Sequence, residues 1–215
     1  MDRIEKLCSY LDGCKTFADV GCDHGYCTLY MLKNNLCKSA VISDISAKCL
    51  EKAERLLSRY ITGCKVVSVC CFGLEKVPED IQQVLIAGMG GDEIVNILKT
   101  AYIPASFVFQ PMKNAMLLRE YLLENGVGIY VDEMFESGKK FYTVIKGAKS
   151  GKGKSYTEIQ LKYGLDLGGE ATKAYLAEEL KKKQSYLERQ LNERARDEIL
   201  KEKIEIERIL KGEII

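Results

Sequence analysis

The chain has 215 residues, with 32 Lys or Arg, 31 Asp or Glu, nine Cys and one His. This length suffices for one full domain and a smaller second unit, and 47% hydrophobic residues exclude a wholly disordered chain. No apolar run reaches the roughly 18 residues of a membrane span, and the N-terminal residues carry charges of both signs, unlike a secretory signal. We therefore expect a cytoplasmic protein without membrane association. The net charge of +1 gives no overall sign of nucleic-acid binding.

The nine cysteines all lie between Cys8 and Cys71, and none forms a C-x-x-C pair. Their odd number and the single His match the usual zinc ligand sets poorly. We predict reduced thiols that serve as small apolar residues, and no bound metal. An oxidised or metal-bound set is the alternative.

Short apolar runs alternate with amphipathic stretches over residues 1–147. The runs are 16–22, 39–45, 65–71, 83–91 and 106–112, and the helical patterns include Ala47–Tyr60 and Asp92–Thr100. This alternation predicts a parallel sheet with helices on both faces. Two further runs, 127–135 and 140–148, are separated by only four residues, which predicts a hairpin and an antiparallel last strand. The pattern is typical of an α/β, Rossmann-like methyltransferase sheet rather than a dehydrogenase sheet.

The rest of the chain predicts a helical appendage. Residues 148–156 contain two Gly and three Lys and indicate an exposed connector. Two apolar stripes follow, formed by Leu176, Leu180, Leu187 and Leu191 and by Ile199, Ile206 and Ile209 or Leu210. Their interruption at 192–198 predicts two antiparallel helices, a coiled-coil hairpin with its turn there; one continuous helix is the alternative. We expect two domains, 1–154 and 155–215.

A glycine-containing motif, ADVGCDHGY at residues 18–26, follows the first predicted strand. Gly21 and Gly25 allow a tight turn beneath a ligand, and the amides that begin the next helix favour a carboxylate or phosphate. Asp19 precedes them at the strand end. Taken alone, the motif fits a strand–helix turn without a ligand equally well.

The next three predicted strands also end in acid or glycine. The second ends at Asp44, whose carboxylate can accept hydrogen bonds from both ribose hydroxyls of an adenosine cofactor; a cap for the helix at Ala47 is the alternative. The third ends in Cys-Phe-Gly-Leu at 71–74 and the fourth in Gly-Met-Gly-Gly at 88–91. Because open α/β sheets bind ligands at the carboxyl ends of their strands, these segments together predict one cofactor site.

ADVGCDHGY, IAGMGG (86–91), FQP (109–111) and LREYL (118–122) together resemble the TrmK family. These bacterial enzymes are S-adenosylmethionine-dependent tRNA (adenine-N(1))-methyltransferases that modify the adenine at tRNA position 22. The resemblance runs from about residue 3 to residue 167, and the helical tail agrees with the family's C-terminal coiled coil. It implies S-adenosylmethionine as cofactor and tRNA as partner, and we expect a monomer or weak dimer.

The resemblance also assigns roles to residues. Asp23 is implied in catalysis, with His24 and Tyr26 beside it; a helix cap formed by Asp23 and a structural hydrogen bond by His24 are the alternatives. The implied cofactor residues are Asp19, Gly21, Gly25, Asp44, Ile45, Phe72, Gly73, Leu74, Gly88, Met89, Gly90 and Gly91.

Two positions depart from the family pattern. Phe72 stands where an acid or amide usually meets the cofactor adenine, and a phenyl ring can stack but cannot accept a hydrogen bond. Met112 replaces an Asn, which leaves Gln110, with Pro111, as the expected substrate contact.

RNA binding would need basic residues around the site. The main candidates are Lys149, Lys152, Lys154, Lys181, Lys182 and Lys183, with Lys139, Lys140 and Lys146 nearby in the sequence. Solvated surface charge is the alternative for each. Two other functions also fit the sequence: a methyltransferase for a small molecule or protein, and a non-catalytic binding module with a decayed site.

Overall fold

The structure, a computed structural model, describes residues 2–60, 62–151, 153–189 and 192–213. The strands are β1 Thr16–Val20, β2 Ser39–Asp44, β3 Lys65–Cys70, β4 Gln83–Met89, β5 Ser106–Pro111, β6 Gly128–Ser137 and β7 Lys140–Ala148. The helices are α1 Arg3–Cys8, α2 Tyr26–Lys33, α3 Ala47–Tyr60, α4 Gly91–Thr100, α5 Ala115–Glu124, α6 Glu158–Tyr163, α7 Glu170–Leu187 and α8 Glu193–Leu210.

The strands of the described chain form one sheet in the order β3-β2-β1-β4-β5-β7-β6. The neighbours among β1–β5 pair in parallel, whereas β7 is antiparallel to both β5 and β6. The β6–β7 connection is short because Gly138 and Lys139 both have positive φ, 57° and 63°, as a two-residue hairpin turn requires. The predicted parallel sheet with an antiparallel last strand is confirmed.

Two hydrophobic clusters cover the two faces of the sheet. Ala18 and Val20 of β1 belong to one cluster with Ile94 of α4, whereas Phe17 belongs to the other with Met31 of α2. The alternation follows from the period of two residues in a strand. Burial on both faces holds the strand ends in fixed positions, so the loops that follow them can present side chains with little freedom.

The C-terminal helices α7 and α8 form the predicted antiparallel hairpin, joined at the base by a small core of Leu167, Leu176, Ile206 and Ile209. The predicted turn position, 192–198, is wrong, because this segment is the start of α8. Asn192 caps the helix by accepting a hydrogen bond from the Ala195 amide at 2.8 Å, and Arg194 pairs with Glu198 one turn later. The apolar stripe is interrupted there because the first turns of α8 are exposed. Leu191, assigned to the first stripe, lies outside the described residues.

A buried ion pair joins the tail to the sheet. Arg119 of α5 contacts Asp132 of β6 at 2.7 Å, and its remaining nitrogen donates to the carbonyls of Leu161 and Lys162 in α6. Tyr156 also donates to Asp132, at 2.8 Å. The boundary at 154/155 stays a prediction, and these contacts hold the segment that follows it against the sheet.

Within the described ranges, no helix is both long and apolar enough to cross a membrane.

Candidate active site

A cleft of about 710 Å³ lies at the carboxyl ends of β1, β2, β3 and β4. The predicted residues that line it are Asp19, Gly21, Asp23, His24, Tyr26, Asp44, Ile45, Phe72, Gly73, Gly88 and Met89. The structure therefore brings the three predicted catalytic residues together with most of the predicted cofactor residues.

The loop between β1 and α2 is built on residues with left-handed backbone conformation. Gly21 has φ 70°, and a Cβ atom there would collide with the terminal methyl group of Met89. The Gly21 and Cys22 amides donate to the Ser43 carbonyl at 2.8 and 3.1 Å. These bonds tie the first motif to the end of β2, so the two predicted halves of the cofactor site lie next to each other.

Asp19 is buried at the end of β1. Its carboxylate accepts hydrogen bonds from the amide and the hydroxyl of Thr28, at 3.2 and 2.8 Å. Burial raises the pKa of Asp19 to about 6, although the bonds from Thr28 oppose the shift. Asp19 thus holds the first turn of α2 in place while also lining the floor of the cleft.

Asp44 stands at the end of β2. One carboxylate oxygen accepts from the Ser46 amide at 2.8 Å and the other from the Asp23 amide at 3.3 Å. The helix α3 begins after Ser46, whose hydroxyl accepts from the Cys49 amide at 3.4 Å. Asp44 therefore supports the start of α3 indirectly, and it also lines the cleft beside the catalytic loop.

Asp23, His24 and Tyr26 form an exposed cluster at the mouth of the cleft. His24 Nδ1 lies 2.8 Å from an Asp23 carboxylate oxygen, and the His24 and Tyr26 rings are stacked with centroids 5.6 Å apart. The helix α2 has Gly25 as its N-cap, so Asp23 does not cap it, contrary to the alternative.

The charge of Asp23 is controlled by its neighbours. Partial burial raises the pKa of this carboxyl group, but the hydrogen bond from His24 and the charges of His24 and Lys52 outweigh it, so the pKa lies below its usual value. Asp23 is consequently ionised at neutral pH and can stabilise a positive charge or accept a proton.

Several predicted residues lie outside the cleft lining. Leu74 is in the core, Gly25 caps α2, and Gly90 and Gly91 form the β4–α4 turn, where Glu93 accepts from the Gly90 amide at 2.6 Å. Glu93 itself lines the cleft.

Gln110, the expected substrate contact, is not among the residues that line the cleft. It is fully buried at the end of β5, next to buried Pro111, and its side-chain oxygen accepts from Arg3 at 2.5 Å. The amide nitrogen of Gln110 donates to the Pro111 carbonyl. Gln110 can therefore act on a ligand only by positioning Arg3.

Two of the connector lysines, Lys149 and Lys154, lie at the end of the sheet opposite the cleft, near the starts of β5 and β6. The end of β7 pairs with the start of β5, and the Lys149 amide donates to the Ala105 carbonyl. The connector then passes the start of β6, where Gly153 lies against Gly128. Since β5 spans six residues, or roughly 17 Å, Lys149 and Lys154 are far from the strand ends that form the cleft. Lys152 lies outside the described residues.

The lysines of α7 are close to acids. Lys182 pairs with Glu179 at 2.6 Å, Lys183 pairs with Glu202 of α8, and Lys181 is exposed. Their predicted role in RNA binding stays a prediction, but two of the three charges are already partly compensated.

The cleft also contains residues that the sequence pattern missed. Arg3, Ile4 and Leu7 of α1 line it. The Arg3 guanidinium lies over the Tyr142 ring, and its buried Nε has no hydrogen-bond partner among the residues that the structure describes. The capping box that starts α1, with Asp2 and Glu5, is the signal that could have revealed this helix.

No group of three or more His, Cys, Asp or Glu side chains that could hold a metal occurs within the part of the chain that the structure describes.

Residues 1–145 match the family model described as a methyltransferase domain. A putative tRNA methyltransferase of Mycoplasma pneumoniae is 33% identical over 152 residues, which cover 70% of this chain and 71% of that protein. The tRNA (adenine(22)-N(1))-methyltransferase of Bacillus subtilis is 25% identical over 171 residues, covering 77% and 72%.

Solved structures show the same fold. A putative tRNA (m1A22) methyltransferase of Streptococcus pneumoniae superposes with a TM-score of 0.88 at 21% identity, over 98% of this chain and 99% of that chain. TrmK of M. capricolum in complex with S-adenosylhomocysteine superposes with a TM-score of 0.85 at 21% identity, over 98% and 96%. The fold similarity thus includes the helical tail as well as the sheet.

Proposed function

Because the chain belongs to the methyltransferase-domain family and, within it, to the TrmK family, we propose that it transfers a methyl group from S-adenosylmethionine to nitrogen 1 of an adenine in tRNA. The adenine at position 22 is the proposed target, after the name of the Bacillus subtilis relative. The observation that carries the proposal is the ionised carboxylate of Asp23 at the mouth of a cleft that Asp44, the neighbour of Asp23, also lines.

The residues of the cleft fit S-adenosylmethionine. Asp44 offers carboxylate oxygens for the two ribose hydroxyls, and Phe72 and Ile45 offer apolar surface for stacking of the adenine. Arg3 carries a positive charge and a buried Nε without a partner, which suits the carboxylate of the methionine part. Phe72 supplies no hydrogen-bond acceptor, so stacking must replace the polar contact usual in the family.

Catalysis in this site rests on position and charge. Bound S-adenosylmethionine supplies a methyl group on a positively charged sulfur, which is already activated for transfer. The chain must hold nitrogen 1 of the base in line with that methyl group while the N–C bond forms and the S–C bond breaks, its electron pair going to sulfur. The base becomes positively charged, and the Asp23 carboxylate stabilises that charge or accepts a proton from the exocyclic amine.

His24 and Tyr26 support this arrangement. His24 fixes the Asp23 carboxylate through the 2.8 Å contact, and the Tyr26 ring stacks on His24. The target adenine must leave its stack in the RNA to reach Asp23, because the reacting nitrogen takes part in base pairing or stacking in a folded tRNA.

The location in the cytoplasm, the absence of a metal and a monomeric or weakly dimeric state are further proposals. A near-neutral, mixed-charge surface and a substrate that occurs in the cytoplasm support them. Metal analysis and sedimentation of the purified protein test the last two.

The proposed function is tested by incubating the protein with unmodified tRNA transcripts and methyl-labelled S-adenosylmethionine, followed by mapping of the label. We expect 1-methyladenosine at position 22 and no label in a transcript with guanine at that position. Labelling of proteins or small molecules in a cell extract, with none in tRNA, would contradict the proposal. Calorimetry with S-adenosylmethionine tests the non-catalytic alternative, which Phe72 favours: failure to bind the cofactor would support a decayed site.

A further inference from the structure

The exposed side of α3 carries a stripe of unpaired basic residues. Its members, Lys48, Lys52, Arg55 and Arg59, are spaced by four, three and four residues. At 3.6 residues per turn they fall within about 60° of the helix circumference, so they form one face. All four are exposed, and none takes part in an ion pair among the described residues. The acids of the helix, Glu51 and Glu54, lie to one side of this face.

The α3 basic face borders a shallow depression of about 300 Å³. Its walls are Lys52, Arg55, Leu56 and Arg59 on one side and His24 and Tyr26 on the other. The two aromatic residues also line the cofactor cleft, so the depression and the cleft meet at the stacked pair. The depression thus offers one continuous path from the mouth of the cleft to α3.

The chemistry of this surface matches a nucleic-acid strand. Lys52 is near enough to lower the pKa of Asp23, so the positive charge extends to the reaction centre. Arginine forks bind phosphate in two-point contacts, and aromatic faces stack with unpaired bases. Tyr26 is 50% exposed despite its size, which leaves ring surface available. An acidic protein could form ion pairs with the basic residues, but it would supply no bases to stack on the aromatic pair.

We infer that the α3 basic face and the His24–Tyr26 pair bind the RNA strand that flanks the extruded adenine. The phosphodiesters contact Lys52, Arg55 and Arg59, and a neighbouring base stacks on Tyr26. This inference rests on the proposed function, since it takes tRNA as the substrate. It identifies the surface of the protein that binds that substrate.

The test compares two variants with the same loss of charge. The first is Lys52→Ala/Arg55→Ala/Arg59→Ala, which keeps α3 helical because alanine is a strong helix former. The control is Lys15→Ala/Lys38→Ala/Lys65→Ala, whose exposed lysines lie at the amino ends of β1, β2 and β3, across the sheet from the cleft. The measurements are the affinity for unmodified tRNA without cofactor as a function of salt, and calorimetry with S-adenosylmethionine as a check of folding.

We expect the α3 variant to lose at least about tenfold in tRNA affinity at low salt, and its salt dependence to fall by about 2 to 3 units of slope, as the loss of three phosphate contacts requires. The control should keep the slope of the unmodified protein, and both variants should bind S-adenosylmethionine normally. Equal losses in the two variants, or an unchanged slope in the α3 variant, would overturn the inference.

The outcome is separable from that of the proposed function. If the unmodified protein methylates tRNA while the α3 variant binds it normally, the inference is wrong and the proposed function holds. If the unmodified protein binds tRNA through α3 but methylates no adenine, the binding surface holds and the proposed function is wrong.

Discussion

The basic face of α3 and the lysines of α7 carry the same charge in different surroundings. On α3, Arg55 and Arg59 form no ion pair among the described residues, and they stand beside the aromatic pair at the cleft. On α7, Lys182 and Lys183 are paired with Glu179 and Glu202, which belong to the same helical hairpin. Exposed pairs contribute little to stability, but they lower the positive potential that a phosphate would meet.

A count of lysines along the chain is therefore a poor guide to an RNA-binding surface. The α7 cluster is conspicuous in the sequence as three consecutive lysines, whereas the α3 residues are interleaved with Glu51 and Glu54. Helix geometry separates the charges of α3 by face and brings those of α7 together with acids. Substitutions at the cleft, at its supports and at the α7 cluster test whether the α3 residues and the α7 lysines differ in this way.

The largest effect is expected at Asp23, where the α3 basic face meets the cleft. Asp23→Ala should lower turnover by about 10² to 10⁴-fold, because it removes the group that stabilises or deprotonates the methylated base. The fold should persist, since the side chain is 62% exposed. Single-turnover methylation of tRNA measures the effect. Near-normal turnover by the Ala variant would contradict the catalytic role of Asp23.

Asp23→Asn is the matched control for that variant. Asp23 has φ 45°, a conformation that Asn tolerates better than Ala, so the amide removes the charge with little backbone strain. Turnover should fall as in the Ala variant, while tRNA affinity should rise slightly because a negative charge next to the phosphate-binding face is lost. A weaker affinity would argue against phosphate contacts at this end of α3.

The next effect concerns Asp19, which holds the turn of α2 that presents the aromatic pair to α3. Burial raises the pKa of its carboxyl group to about 6 in the folded protein, from 3.8. Between these values the folded state binds more protons than the unfolded state, so the free energy of unfolding should fall as the pH rises from about 4 to about 6, by about 3 kcal/mol from this group. Urea unfolding at several pH values, compared with Asp19→Asn, measures it.

The Asn variant should lack this part of the pH dependence and keep that of all other groups. Identical pH profiles for the two proteins would show that Asp19 does not titrate as its burial requires.

Substitution of Asp44 is expected to change the affinity for the cofactor rather than the affinity for RNA. Asp44→Ala should weaken S-adenosylmethionine binding by about 10- to 100-fold, since hydrogen bonds to a charged group contribute about 1.5–3 kcal/mol. Calorimetry measures this affinity. Asp44→Asn retains an acceptor for the Ser46 and Asp23 amides and should lose less. Equal binding by the Ala variant and the unmodified protein would place the ribose elsewhere.

The smallest effect is expected for Lys181→Ala/Lys182→Ala/Lys183→Ala. Because two of these charges are already paired, tRNA affinity should fall by less than about threefold and the salt slope should change by less than about 1. The same salt titration used for the α3 variant measures both. A loss of tRNA affinity as large as that of the α3 variant would show that the α7 lysines bind RNA as strongly as the α3 residues. The main RNA contact would then lie on the helical hairpin.

Much of the site was predictable because it depends on local sequence and on one rule of sheet geometry. Gly21, Asp44 and Gly88 lie at the carboxyl ends of parallel strands, and these ends meet at one edge of the sheet. Gln110 lies near the end of such a strand, but its neighbours bury it completely, and Arg3, to which it is bonded, lines the cleft instead. Contact between residues 107 positions apart is not encoded in any local pattern.

Local sequence patterns were sufficient to predict most helices and strands, their parallel and antiparallel pairing and the loop residues of the predicted cofactor site. Periodicity, glycine and short connections act locally, which is why these features could be predicted. Tertiary structure alone decided which charges are available to a substrate. The register of β7 against β5 places Lys149 across the sheet from the cleft, and packing of α3 beside the β1–α2 loop places Arg55 and Arg59 next to Tyr26. Charges act through space, and their distances are set only when the elements pack.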